Sequence, residues 1–499
     1  MRRASAIRAC VPLPEPSPSD ACPVARWARE APEHPAVVAP GLRWSYAELE
    51  RRVADWAGRL GASGVGRGDR VGVLSANRAE VVAQLFAIAR CGAVAVMLNA
   101  RLTAAELRPQ LELAEPRVIL AEASLVAKVA DPGLLLQGGE GAAPVMERPL
   151  DPDALFAILF TSGTTGRAKA AGLTWGNFVA SARASAANLG AEPSHRWLAT
   201  LPFFHVGGLA MITRCALAGA TLELHERFDP AAVNASIDGG ASHVSLVATT
   251  LARTLEARGE RPFPPSLRAV LIGGGPVPVT LLGQARRLGA PVLQTYGLTE
   301  ACSQVCTERP ADADGLTAGP PVRGTSVRIV DEHGQPLPPG GVGEIEVRGP
   351  TVMRGYFRDE EATRGALVDG WLRTRDLGML DERGRLRVFS RRTDLILSGG
   401  ENVYPAEVEA VLFQHPALVE AAVLGLEDPV WGQKVAAAVV LRSGVPDADL
   451  ERFCRERLAG YKVPRSFLRV DALPRNATGK VDRTALRQQF GYLPPSQTP

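Results

Sequence analysis

The chain has 499 residues, 46% of them hydrophobic and 22% charged, with a net charge of +3. That length allows two or three domains with full apolar cores and no need of disulfide staples. The charge balance argues against a nucleic-acid surface built on bulk positive charge; 50 glycines and 39 prolines in no Gly-X-Y order exclude collagen and point to many turns. Residues 1–35 read as a loosely ordered lead-in and a first helix. Their basic start, MRRASAIRAC, runs into VPLPEPSPSD and lacks the apolar core of a signal peptide. A capped helix follows over Trp44–Leu60, with Leu49, Val53, Trp56 and Leu60 on its apolar face. The apolar stretch Val81–Leu102 carries Arg90 and Arg101, so it reads as the end of a buried helix (79–91) and a strand (Val94–Leu98), not as a membrane span. Short apolar runs at Val71–Leu74, Arg117–Ala121, Ala154–Thr161, Arg196–Leu201, Thr221–His225, His243–Val247 and Ala269–Gly273 alternate with helices. That alternation predicts parallel sheets in a large layered α/β domain.

From Gly319 the texture changes. Val327–Val330 and Gly343–Arg348 flank a DEHGQPLPPGG turn, and Gly378–Asp381 and Leu386–Phe389 flank Glu382–Gly384, which predicts an antiparallel β-rich subdomain. Beyond Arg391 a helix (Ala406–Gln414), apolar runs at Val419–Leu424, Val435–Leu441 and Phe467–Val470, and helices near Asp449–Leu458 and from Asp482 make a small α+β domain. The boundary falls near Ser390–Asp394, dividing the chain into 1–390 and 391–499. Seven cysteines show neither CxxC nor zinc spacing, as expected of reduced thiols in a cytoplasmic protein.

Five segments carry chemistry. Lysine occurs only at 128, 169, 434, 462 and 480, the other basic residues being arginine. A lysine in a Gly-rich loop therefore stands out, because a compact ammonium and a planar guanidinium are not interchangeable. Thr161, Ser162, Gly163, Thr164, Thr165 and Gly166 lead into Arg167 and Lys169 after an apolar strand. Small residues, four hydroxyls and two cations suit a phosphate cradle, or else a basic polar turn; GxxxxGK[ST] is not matched. In Leu293–Glu300 a strand ends in a turn where Tyr296 could stack on a purine and Glu300 could hold Mg²⁺, though a turn capped by Thr299 explains it as well. Asp376, at a strand boundary, suits a ribose diol or a salt bridge to a flanking arginine. Gly399 and Gly400 permit a tight loop before a helix, at the domain boundary. Lys480 sits on a Gly-bearing loop near the C-terminus.

Taken in order, these segments resemble the adenylate-forming superfamily of acyl-CoA synthetases, luciferases and peptide-synthetase adenylation domains. The resemblance runs from about residue 25 to 490. It implies a large N-terminal domain, a small mobile C-terminal domain, and a two-step reaction in which a carboxylate attacks the α-phosphate of ATP and a thiol then displaces AMP. The resemblance assigns Thr161–Gly166 and Lys169 to the β- and γ-phosphates, and Tyr296 and Gly297 to adenine. Thr299 falls to the α-phosphate, Glu300 and Thr164 to Mg²⁺, and Asp376 and Arg391 to ribose. Gly273, Gly274, Gly275 and Pro276 line adenine and acyl group. Gly399, Gly400 and Glu401 face the site in the CoA step, and Lys480 bridges carboxylate and phosphate during adenylation. Ala168 and Ala170 depart from the usual Pro and Gly around the lysine, and Thr393 from the usual hinge Asp or Lys. TYGLTEACSQ, LPFFHVGGL and SHVSLVATTLARTL look most like the branch that activates 2-succinylbenzoate for menaquinone synthesis, with His205, Ser245 and Ser303 lining the acid pocket. The implied co-substrates are ATP with Mg²⁺ and coenzyme A, and the implied partner is a small carboxylic acid. Nucleic acid and stable membrane insertion are not expected, and a homodimer is left open. A fatty-acid or aryl-acid ligase, and a catalytically silent nucleotide- or acyl-binding scaffold, are the competing readings; intact Glu300, Asp376, Arg391 and Lys480 argue against the scaffold.

Overall fold

The computed structural model describes residues 22–136, 149–161, 169–274, 277, 279–390, 396–403, 405–474, 481 and 483–491. Two large sheets and a smaller one form the N-terminal part. In the eight-stranded sheet the strands Pro35–Ala39, Thr221–Leu224, Arg196–Ala199, His243–Leu246, Ala269–Ile272 and Val292–Leu298 lie side by side in parallel. An antiparallel strand closes each edge, Leu42–Ser45 and Ser303–Thr307. In the six-stranded sheet Arg70–Leu74, Val94–Leu98, Val118–Ala121 and Leu155–Thr161 are parallel, and Lys169–Thr174 and Gly355–Tyr356 add antiparallel. Parallel strands are buried on both faces, which is why these runs read as continuously apolar. The helix Ala79–Arg90 is buried along nearly its whole length, and one apolar cluster joins it to residues of both large sheets, among them Val71 and Leu271.

The expected antiparallel subdomain is present as Ser326–Val330, Gly343–Arg348, Trp371–Leu380, Leu386–Ser390 and Leu367–Val368. The C-terminal sheet pairs Glu401–Val403, Ile396–Ser398, Gly432–Leu441 and Leu418–Asp428 antiparallel, with Ser466–Arg469 parallel to Gly432–Leu441. Helices Pro405–Leu412, Asp447–Arg455 and Arg483–Gln489 complete a small α+β domain. The proposed junction, 391–394, lies outside the described residues.

Three expectations need correction. The second helix starts at Tyr46, not Trp44, because Ser45 caps it in a reciprocal box with Glu48 and Trp44 belongs to a strand. Thr299 does not cap the turn after Tyr296: it is the first residue of the short 3₁₀ turn Thr299–Ala301, which joins two antiparallel strands. Asp376 sits inside the ten-residue strand Trp371–Leu380, not at its boundary.

The two parts meet over a polar contact. Lys462, 5% exposed, places its ammonium 3.1 Å from Glu106 of the N-terminal part and 2.6 Å from Glu407 of its own. Thr103, which caps the helix Ala104–Ala114, donates to the Arg457 carbonyl, and Ala459 and Tyr461 pack into the apolar cluster around Leu107. A buried ammonium requires such pairing, because an unpaired charge there is costly.

Candidate active site

The hairpin of Val292–Leu298 and Ser303–Thr307 shapes one wall. A Cβ at Gly297 would lie 1.9 Å from the Ser303 carbonyl oxygen, so only glycine lets the two strands approach this closely. The register shifts between Tyr296 and Gly297, a bulge that re-aims the side chains beside it. Tyr296 is 6% exposed and its hydroxyl donates to Asp376 Oδ2 at 2.6 Å. Arg375, with φ 61°, marks a kink in the strand that carries Asp376. The expected adenine and ribose residues thus meet, although they come from different sheets. Gly273 lies against Thr295, where a Cβ would be 2.9 Å from Cγ2, and Gly274 has φ +84°. Bare backbone therefore runs beside Tyr296, the surface a flat ring can lie on.

Thr161 and Lys169 are register partners at one end of an antiparallel pair, and the Ser/Thr/Gly segment between them lies outside the described residues. Glu300 occupies the short 3₁₀ turn Thr299–Ala301. One of its oxygens accepts from the Tyr356 hydroxyl at 2.9 Å; the other accepts no hydrogen bond among the described residues. A carboxylate with one oxygen held by a phenol suits Mg²⁺, which is held by one or two carboxylates plus substrate phosphates.

Behind the hairpin lies a cation that the sequence analysis missed. Arg90, Arg214 and Arg258 are buried arginines. Arg90 and Arg258 each lie 2.7 Å from a carboxylate, of Glu50 and Asp238. Arg214 has no carboxylate among the described residues: Nη2 donates to Ser303 Oγ at 3.2 Å and Nε has no partner. Burial lowers its pKa to about 10, which leaves it cationic at pH 7. Cys302 and Ser303 both have positive φ, 50° and 91°, so the segment presenting Ser303 is strained. A lone charge in the otherwise uncharged helix Val206–Ala218 was the available signal. Ser245 is buried in the strand His243–Leu246, and its carbonyl accepts from Thr200.

The C-terminal loop reaches this site. Gly399 and Gly400 have φ +60° and +84°, as a tight loop requires. A Cβ on Gly400 would lie 3.0 Å from Val247, the residue that also borders Gly274. Glu401, 4% exposed, pairs with Arg101 and accepts from or faces His205 Nε2 at 3.1 Å. His205 precedes the helix Val206–Ala218, placing this contact at the helix N-terminus. Desolvation and the Arg101 charge lower the His205 pKa; its half-open side chain and the Glu401 carboxylate both work against that shift. Arg101 and Val247 were not anticipated. Ser162, Gly163, Thr164, Thr165, Gly166, Gly275, Pro276, Arg391, Thr393 and Lys480 lie outside the described residues.

A model of the AMP-binding enzyme family matches residues 24–357, and one of the AMP-binding enzyme C-terminal domain matches residues 407–480. A 2-succinylbenzoate–CoA ligase of Bacillus licheniformis is 41% identical over 91% of this chain and 97% of its own. The o-succinylbenzoate CoA synthetase of Bacillus subtilis is 39% identical to it in two liganded structures. A double mutant bound with the product analogue OSB-NCoA gives a TM-score of 0.89, covering 94% of this chain and 98% of that one. The complex with the acyl-adenylate intermediate OSB-AMP gives 0.72, covering 96% and 99%.

Proposed function

Because the chain belongs to the AMP-binding enzyme family, we propose that it is an AMP-forming acid–CoA ligase converting 2-succinylbenzoate to 2-succinylbenzoyl-CoA, a step of menaquinone synthesis. The observation that carries the choice of acid is Arg214. A buried guanidinium with no carboxylate partner among the described residues calls for an anionic ligand, since an unpaired charge is costly there. A monocarboxylic acid spends its one carboxylate in the reaction. An acid with a second carboxylate supplies the missing partner, and Ser303 sits where it can add a hydrogen bond.

In the first half-reaction an oxygen of the succinyl carboxylate attacks the α-phosphorus of ATP and the bond to pyrophosphate breaks. Thr161–Gly166 and Lys169 hold the leaving phosphates, Thr299 the α-phosphate, and Tyr296 with Gly274, Gly275 and Pro276 the adenine. Asp376 and Arg391 hold the ribose, and Asp376 is fixed by Tyr296. Mg²⁺, held by Glu300 with Thr164, supplies neutralisation of phosphate charge. Lys480 offsets the charge that builds up as two anions meet. In the second half-reaction the CoA sulfur attacks the acyl carbon and the bond to AMP breaks, the thiol proton passing to solvent.

Residues 1–390 and 391–499 are the two domains, and the smaller one reorients between the half-reactions. The docking of Gly400 and Glu401 against Val247, His205 and Arg101 supports the thioester-forming pose here. So does the greater likeness to the product-analogue complex than to the acyl-adenylate complex at equal identity. Glu401→Ala is expected to slow thioester formation from preformed acyl-adenylate by about 10-fold or more, because His205 and Arg101 lose a buried partner. Adenylate formation, followed by pyrophosphate release, is expected to stay within about twofold, well under 1 kcal/mol; equal loss in both steps would count against the docking role.

The test of the function is detection of the CoA thioester by mass spectrometry, with ATP, Mg²⁺, CoA and a panel of 2-succinylbenzoate, benzoate, cinnamates and fatty acids. Strong preference for 2-succinylbenzoate is expected. Preference for another acid keeps the ligase chemistry and removes the pathway; no thioester and no pyrophosphate with any acid favours a silent scaffold.

A further inference from the structure

Two groups with separate duties in the first half-reaction, Lys169 and Glu300, converge on one side chain that the mechanism above does not use. Tyr356 lies on the short edge strand Gly355–Tyr356, opposite Ala171 of Lys169–Thr174. Its hydroxyl donates to Glu300 Oε1 at 2.9 Å, and the Lys169 ammonium stands 5.0 Å over its ring. The same segment also grips the Glu300 main chain, since Met353 N donates to the Glu300 carbonyl at 2.8 Å. Tyr356 N donates to Thr363 Oγ1 at 2.9 Å, which anchors the residue from the other side. A cavity of about 380 Å³ lies beside the ring, lined by Leu155, Gly172, Phe357 and Thr363. Tyr356 also packs against the main apolar cluster, and its polar and cationic contacts set its orientation together with that packing.

We propose that Tyr356 is a positioning residue for the adenylation step. By hydrogen-bonding one oxygen of Glu300 it fixes the carboxylate plane and leaves the second oxygen for the metal. A hydrogen-bond partner of a metal ligand commonly changes metal affinity or activity 10–100-fold when it is removed. The face of the same ring holds the Lys169 ammonium by cation–π attraction. One phenol thus sets the spacing between the cation that meets the leaving phosphates and the carboxylate that meets the metal. A carboxylate and an ammonium brought to one site would otherwise collapse onto each other; the phenol offers each a separate partner.

The proposal rests on Glu300 being the metal carboxylate, and the test separates the two ideas. Tyr356→Phe keeps the ring and removes the hydroxyl; Tyr356→Leu removes both contacts; Glu300→Gln tests the assignment itself. The readouts are Mn²⁺ affinity in the presence of a non-hydrolysable ATP analogue, by electron paramagnetic resonance, the analogue's affinity without metal, and thioester formation from preformed acyl-adenylate. Glu300→Gln and Tyr356→Phe are both expected to weaken Mn²⁺, the latter by about 10-fold. Tyr356→Phe is expected to leave metal-free binding of the analogue near wild type, and Tyr356→Leu to weaken it by about threefold. The thioester step, which follows pyrophosphate release, should not change in Tyr356→Phe. If Glu300→Gln weakens Mn²⁺ while Tyr356→Phe does not, the positioning role is wrong. If Glu300→Gln leaves Mn²⁺ affinity intact, the metal assignment fails and this proposal with it. Equal loss of the thioester step in Tyr356→Phe would mean general damage and overturn the proposal too.

Discussion

Arg214→Met is expected to lower kcat/KM for 2-succinylbenzoate by about 100-fold or more while leaving the protein as stable as before or more so. The two effects have one cause. In the free enzyme Arg214 is a buried cation that, among the described residues, has a serine hydroxyl and no carboxylate, and its Nε is unsatisfied. Replacing a poorly paired buried charge by an apolar side chain of similar volume is often neutral or stabilising. In the complex the same change strands the ring carboxylate of the substrate in a desolvated site, and truncating one partner of such a pair costs roughly 2–5 kcal/mol. A second acid isolates the contact: 3-benzoylpropionate keeps the succinyl chain and ketone but lacks the ring carboxylate. Wild-type enzyme is expected to use it poorly, and Arg214→Met to discriminate little between the two acids. The checks are kcat/KM for both acids and the thermal midpoint. If both acids lose activity in proportion, Arg214 acts on something other than that carboxylate. A clear fall in thermal midpoint would show that Arg214 holds the fold and not the substrate.

Arg214 also shows where sequence reasoning stops. The layered α/β part was legible because parallel strands are apolar on both faces, so Val71–Leu74 or Ala269–Ile272 announce themselves. Glycines were legible as a class, since a pair such as Gly399 and Gly400 demands a positive φ that few residues tolerate. The scarcity of lysine drew attention to Lys169 and Lys480 in their Gly-bearing loops, but not to Lys462. The Lys462 ammonium lies between Glu106 and Glu407. What could not be read was which distant segments meet. The Tyr296–Asp376 hydrogen bond spans 80 residues, the Tyr356–Glu300 bond 56 and the His205–Glu401 contact 196. No local period records such pairings. Edge strands escaped for a related reason: Gly355–Tyr356 is two residues long and exists only because Lys169–Thr174 offers it an edge.

The contacts between the two parts bear on how the cycle turns over. Lys462 with Glu106, Thr103 with the Arg457 carbonyl, and Glu401 with Arg101 all hold the C-terminal part in the arrangement seen here. Each is polar and exchangeable for water, and the apolar contact of Ala459 and Tyr461 with the cluster around Leu107 is small beside the apolar packing within each part. Breaking one partner away from a buried ion pair is costly, by about 3–5 kcal/mol when the charge remains buried. Separation that exposes both charges to solvent avoids most of that cost. In the proposed cycle such an interface is held in one half-reaction and released for the other.

Lys480→Ala is accordingly expected to cripple one half-reaction and spare the other. In the proposed cycle Lys480 acts when the acid carboxylate and the α-phosphate, both anions, are brought together, and a fixed cation there stabilises charge that exists only near the transition state. Removing a single preorganised group of this kind typically costs about 10²–10³ in rate. Adenylate formation, measured as pyrophosphate release with 2-succinylbenzoate, should fall by about that factor. Thioester formation from synthetic acyl-adenylate and CoA should stay within about twofold, because the CoA sulfur then attacks a carbonyl carbon and no carboxylate has to meet the α-phosphate, and Gly400 and Glu401 now border the site. Glu401→Ala predicts the opposite split, so the two variants form a crossed pair that a general loss of folding cannot imitate. Equal loss of both half-reactions in Lys480→Ala would refute the assigned role. A crossed result would tie each face of the C-terminal domain to its own chemical step.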